Sequence, residues 1–153
     1  MFSCSDDGTV CLYETAQLTR IGVFNIKESC RSIDVTKDSK YLFAAAATIG
    51  FNIYDVQTGK KILDIHVPGL NSKQVVLGYG DKQILCLYEN EKQSYIRIYD
   101  TQKVLSSSNG KDIKEEHEIA AQADMVFTKA IWGPKNETII IATNIGKLLT
   151  YNL

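Results

Sequence analysis

Residues 2–14 read FSCSDDGTVCLYE. Two runs of strand-forming residues flank Asp6-Asp7-Gly8, so the stretch predicts a β-hairpin with a tight turn, ending on an aromatic and an acid. That ending returns along the chain as Leu12-Tyr13-Glu14, Ile53-Tyr54-Asp55, Ile98-Tyr99-Asp100 and Thr150-Tyr151-Asn152. The tyrosines at 13, 54, 99 and 151 stand 41, 45 and 52 residues apart. The last interval is longer because a polar segment, Ser106–Lys111, is inserted after the third pair.

A period of about 40–45 residues is that of a four-stranded β-propeller blade. The predicted fold class is therefore all-β, with about three and a half blades of a seven-bladed propeller. Residues 1–27 give an incomplete first blade and 28–67 the second. Residues 71–122 give the third, with an insertion at 104–116, and 126–153 an incomplete fourth. The middle strands Leu42-Phe43-Ala44-Ala45, Ile84-Leu85-Cys86-Leu87 and Ile139-Ile140-Ile141-Ala142 are continuously apolar. A sheet with one wet face would alternate, so both faces of these strands are expected to be covered, one by each neighbouring blade. Residues 113–127 also fit one helical face. A strand at 117–122 is preferred because the third blade needs a fourth one.

The chain has 17 basic and 18 acidic residues, which leaves no positive excess to hold nucleic acid or a membrane surface by charge. No apolar run reaches the length of a membrane span, and the N-terminus lacks the pattern of a secretory signal. Cys4, Cys11, Cys30 and Cys86 form no CxxC pair and read as reduced thiols of a cytoplasmic protein. Asn136-Glu137-Thr138 matches a glycosylation sequon, read as chance without a secretory signal.

SDDGTVCLYE (5–14) and IYDVQTGKKI (53–62) resemble the repeat signature of the WD-repeat family. Tyr replaces the usual Trp in every aromatic-acid pair, the last acid is Asn152, and the Gly-His dipeptide of the family is missing. In this pattern Asp7, Gly8, Tyr13, Tyr54, Asp55, Tyr99, Asp100 and Tyr151 are structural repeat positions. The tyrosines are expected to pack between strands within a blade, and the acids to close the following turns. ESCRSIDVTKDSKYL (28–42), the third-unit insertion and AIWGPKNETIIIATNIGKLLTYN (130–152) together resemble the first half of the subunit i family of eukaryotic translation initiation factor 3. Kinase-receptor-associated WD proteins are the related alternative.

The resemblance implies a non-catalytic scaffold in the cytoplasm, without cofactor. Its partners would be other initiation factor subunits and, indirectly, the small ribosomal subunit, with no direct nucleic-acid binding and no membrane. Seven blades need roughly 300 residues, so the chain is expected to be part of a larger ring or to have its open faces covered by a partner.

No enzymatic constellation stands out. Gly78-Tyr79-Gly80 lacks the third glycine of a dinucleotide loop, and no P-loop, HExxH or GxSxG occurs. Asp6 and Asp7 read as turn residues rather than cation ligands, and His117 as a surface histidine salt-bridged to its acidic neighbours. Trp132, Lys111, Lys114 and Glu115 are the candidate partner contacts, with packing inside the fourth blade preferred for Trp132 and plain solvation for the charged loop.

Overall fold

The computed structural model describes residues 1–153. Fourteen strands form four antiparallel sheets in chain order. The first contains β1 (Phe2–Cys4), β2 (Thr9–Tyr13) and β3 (Arg20–Asn25). The second contains β4 (Cys30–Val35), β5 (Tyr41–Ala46), β6 (Gly50–Asp55) and β7 (Lys61–His66). The third contains β8 (Asn71–Leu77), β9 (Gln83–Glu89), β10 (Ser94–Asp100) and β11 (His117–Ala120). The fourth contains β12 (Phe127–Trp132), β13 (Thr138–Thr143) and β14 (Leu148–Asn152). Every strand pairs only with its sequence neighbours, so each sheet is a meander and no connection crosses another.

The sheets stack face to face, and the core consists of the three joints between them. Val10 and Phe24 of sheet 1 meet Leu42, Ala44, Ala46 and Tyr54 of sheet 2. Phe43, Phe51, Ile53 and Ile65 of sheet 2 meet Ile84, Cys86, Tyr88 and Tyr99 of sheet 3. Leu85, Leu87, Ile96 and Ile98 of sheet 3 meet Phe127, Ala130, Ile139 and Ile141 of sheet 4. This explains the unbroken apolar runs in β5 and β9, whose successive side chains point into successive joints. The alanines of β5, all fully buried, let the neighbouring sheets approach closely.

Two local features differ from the sequence reading. The 104–116 insertion starts inside a short helix, α1 (Thr101–Ser106), whose N-terminus is capped by Asp100 accepting from the Lys103 N–H at 2.8 Å. Val104 is fully buried in the joint between sheets 2 and 3, so this segment is anchored rather than a flexible polar loop. Gly110 is buried against β7, and a Cβ there would overlap the Asp64 carbonyl. The second difference is in the tyrosines. Tyr54 packs edge-on against Phe24 of sheet 1, 5.8 Å between ring centroids, and Tyr99 packs edge-on against Phe51 of sheet 2 at 5.6 Å. They join sheets instead of filling the interior of one, because strand alternation turns them out of their own sheet.

Gly50 has φ +133°, and a Cβ would overlap the Ile65 carbonyl oxygen of the paired strand β7. Gly50→Ala is expected to destabilise by about 3 kcal/mol or more, from strain and overlap together. Gly59→Ala, at φ +70° with nothing within 4 Å, should lose only about 1–2 kcal/mol. Urea denaturation midpoints of the two variants check the contrast.

Candidate interaction surface

The sheets are held in register by a set of polar contacts that repeats from joint to joint. The first strand of sheets 2, 3 and 4 carries a bulge near its start, between Cys30 and Ile33, Ser72 and Gln74, and Phe127 and Lys129. A bulge re-aims the side chain that follows it. In β4 the Ser32 hydroxyl donates to the Val75 carbonyl at 3.1 Å and accepts from the Val75 N–H at 3.2 Å. In β8 the Gln74 amide donates to the Ala130 carbonyl at 2.8 Å and accepts from the Ala130 N–H at 3.0 Å. Asp34 adds a contact of the same sense, accepting from the Leu77 N–H at 2.8 Å.

Both rims repeat the linkage. On one, an N–H at the start of the first strand in sheets 2, 3 and 4 bonds the preceding repeat: Cys30 to the Ser5 carbonyl at 3.1 Å, Ser72 to the Ala47 carbonyl at 2.9 Å, and Phe127 to the Ser94 hydroxyl at 2.7 Å. On the other, the Lys37 N–H donates to Asp81 at 2.7 Å and the Tyr79 N–H to Asn136 Oδ1 at 2.5 Å. The Asn136 amide nitrogen also donates to the Tyr79 carbonyl at 3.2 Å, so the sequon asparagine is engaged in a turn-to-turn contact.

The acids of the aromatic-acid pairs serve the next turn. Glu14 accepts from the Ala16 and Gln17 N–H groups at 2.7 Å, and Asp55 accepts from the Thr58 N–H at 2.7 Å and hydroxyl at 2.8 Å. These donors hold both carboxyls below their ordinary values, for Asp55 chiefly through the Thr58 backbone. In the 5–14 hairpin, Asp7 accepts from the Thr9 hydroxyl at 2.7 Å and N–H at 2.9 Å, and Gly8 takes φ +81° in the turn. Asp6 accepts from the Ser29 hydroxyl and pairs with Arg31 at 3.4 Å. Tyr13 and Tyr151 are half-buried, and Tyr151 packs into the joint with sheet 3.

The candidate contact residues lie in two places. The Trp132 indole N–H donates to the Val76 carbonyl at 3.2 Å, so the ring lies in the joint between sheets 3 and 4 rather than inside the fourth sheet alone. Lys111 and Lys114 are exposed and form no ion pair, while Glu115 lies half-buried 4.0 Å from Arg97. Arg97 pairs across the strands with Glu118 at 2.6 Å; burial opposes its charge, and the surrounding groups, the Glu118 hydrogen bond foremost, outweigh it. His117 is exposed and outside these pairs, because its acidic neighbours are taken by Arg97 and Lys103. His66 is exposed at the end of β7. The arrangement groups no three or more His, Cys, Asp or Glu in a way that could hold a metal ion. No helix is long and apolar enough to cross a membrane.

Four stacked meander sheets are shared with solved structures, which decides the architecture. The C-terminal WD40 domain of Sif2 superposes on 99% of this chain with a TM-score of 0.80 at 14% identity. The fold is that of WD40 β-propeller blades. The β-propeller domain of Cps50 (Swd1) from Myceliophteria thermophila matches 99% of the chain at TM-score 0.75 and 14% identity. Hydrazine synthase from Kuenenia stuttgartiensis matches 93% at 0.77 and 10% identity. These cover 42%, 47% and 40% of the respective chains. In sequence, the chain is 29% identical over 153 residues to eukaryotic translation initiation factor 3 subunit I of Dictyostelium discoideum. That match takes in 99% of this chain and 44% of the relative, so the chain spans less than half the length of the curated relative it matches. No protein-family model matches.

Sequence reasoning did not find Ser32 and Gln74. Polar residues in a first strand look like solvent-facing positions until the bulge and the next blade are in place. Gln74→Leu is expected to cost about 2–4 kcal/mol, because it strands the Ala130 N–H and carbonyl, whereas exposed Lys129→Leu should stay within about 0.5 kcal/mol. Chemical denaturation of the two variants gives the comparison.

The cysteines divide by depth. Burial pushes the Cys30 and Cys86 thiols up to about 12, while Cys4 and Cys11 are half-buried. A raised pKa leaves almost no thiolate at pH 8, and the thiolate is the reactive form. Iodoacetamide at pH 8 should alkylate Cys4 and Cys11 in the folded protein and reach Cys30 and Cys86 only after unfolding, as read by peptide mass mapping.

Proposed function

We propose that this chain is a non-catalytic interaction scaffold of translation initiation factor 3, corresponding to the leading blades of its subunit i. The observation that carries the reading is the 29% identity extending along 99% of the chain to a subunit of that factor. The blade architecture supports it: rigid joints fix the loops, and the loops present side chains to partners. Partners are other subunits of the factor, which hold the chain on the small ribosomal subunit without contact of its own to RNA. The work is done in the cytoplasm.

The insertion after β10 is the docking element. Val104 and Gly110 fix it to the joint and to β7, and this leaves Lys111 and Lys114 projecting as free ammonium groups. An anchored loop with unpaired charge suits an acidic partner surface.

The test is affinity capture of the tagged native protein, with sucrose-gradient sedimentation of the same lysate. Initiation factor subunits should co-purify in moderate salt and sediment with the small ribosomal subunit. Their absence from both fractions overturns the reading and favours a signalling adaptor. Lys111→Glu with Lys114→Glu should reduce recovery of the subunits about tenfold or more, with stability unchanged to within about 0.5 kcal/mol. Unchanged recovery would remove the insertion from the docking surface.

A further inference from the structure

Two of the four cysteines share a joint. Cys4 ends β1 and Cys30 opens β4, and both side chains pack in the apolar cluster between sheets 1 and 2. Cys86 is enclosed in the joint between sheets 2 and 3, and Cys11 belongs to none of the three clusters. Cys4 and Cys30 are free thiols, the first half-buried and the second 1% exposed.

The chain holds this pair together from several sides. The Cys30 N–H donates to the carbonyl of Ser5, the residue after Cys4, at 3.1 Å. The Ser29 hydroxyl donates to Asp6, and Arg31 pairs with the same carboxylate at 3.4 Å. Residues 4–6 are thereby fixed against residues 29–31. A backbone bond of this kind keeps two strands about 5 Å apart, and a disulfide spans Cα atoms about 4.4–6.8 Å apart. The thiols themselves lie within reach of each other. After burial, the neighbour that most raises the Cys30 thiol is Cys4, acting both by charge and as a hydrogen-bonding group.

We propose that Cys4 and Cys30 form a modification site, oxidised by a hydroperoxide to a disulfide that pins sheet 1 to sheet 2 and reversed by small-molecule thiols. Cys4, the more accessible sulfur, reacts first. Its thiolate takes one oxygen of hydrogen peroxide and becomes a sulfenic acid; the O–O bond breaks, and the other oxygen leaves as hydroxide, which takes up the thiol proton to give water. The Cys30 sulfur then attacks the Cys4 sulfur. The S–O bond breaks, the departing hydroxide carries off the Cys30 proton as a second water, and the S–S bond forms. Two thiols and one peroxide thus give one disulfide and two waters. In a reducing compartment such a bond is transient, so the pair responds to oxidant and is not needed to hold the fold. The chemistry belongs to the chain's own sulfurs and stands or falls separately from the initiation factor reading.

The test is peptide mapping without reduction, on the native protein purified in reducing buffer and then exposed to hydrogen peroxide. A peptide linking Cys4 to Cys30 should appear and vanish with dithiothreitol, while Cys11 and Cys86 stay thiols in the same sample. The thermal midpoint should rise by about 5 °C or more on oxidation. In Cys30→Ser, which lacks the resolving sulfur, dimedone should trap about tenfold more Cys4 sulfenic acid than in the wild type. The wild-type peptide map does not depend on that variant folding. Cys4 that stops at sulfenic or higher acids in the wild type, with no linked peptide, would overturn the proposal. So would a bond from Cys4 to Cys11, or a Cys4–Cys30 bond that forms only when urea is present.

Discussion

The joint between successive sheets is the constraint on which this structure depends. A meander of three or four strands has two apolar faces and cannot bury either by itself. Sheets 2 and 3 are therefore each half of two joints, and the buried middles of β5 and β9 have no wet face at all. Apolar burial brings sheets together but tolerates sliding. Register comes from directional contacts: Ser32 on Val75 and Gln74 on Ala130, each closing both hydrogen-bonding groups of one backbone residue. Three bulges at equivalent places in β4, β8 and β12 put those side chains where they can reach.

Much of this was legible in the residues. The recurrence of an aromatic before an acid gave the repeat length, and continuous apolarity in 42–45 and 84–87 implied cover on both faces. The strand at 117–120 follows from the need of the third sheet for an outer edge, against a pattern that also suited a helix. The parts that escaped depend on distance in space. The direction of Tyr54 and Tyr99 is set by alternation relative to neighbouring blades, which one sequence window does not contain. Helix α1 was hidden because its six residues run into a serine-rich turn, and its cap, Asp100, was already explained as part of the aromatic-acid pair.

The interaction surface was harder to read for a different reason. Core positions answer to packing, which leaves a periodic trace in sequence. Exposed loop positions such as Lys111 and Lys114 answer to no packing constraint, and no period marks them. Trp132 beside Gly133-Pro134 reads from sequence as packing within the fourth blade ahead of anchoring a partner, and its indole N–H is bonded to Val76 in the adjacent sheet. The WD40 architecture is compatible with many activities, so the likeness to Sif2 and Cps50 speaks to shape, and only the sequence match to an initiation factor subunit points toward a role.

The reach of Ser32, Asp34 and Gln74 runs in one direction, each toward a sheet later in the chain. During synthesis the N-terminal sheets leave the ribosome first, so sheets 3 and 4 each meet a neighbour whose polar hooks are already waiting. The nascent protein always carries one unfinished apolar face at its growing end. That face moves along the chain as translation proceeds and is masked about once every 40–45 codons. Slow codons placed just after a completed sheet would prolong its exposure, and a holdase chaperone would find its binding site at the same point in each cycle.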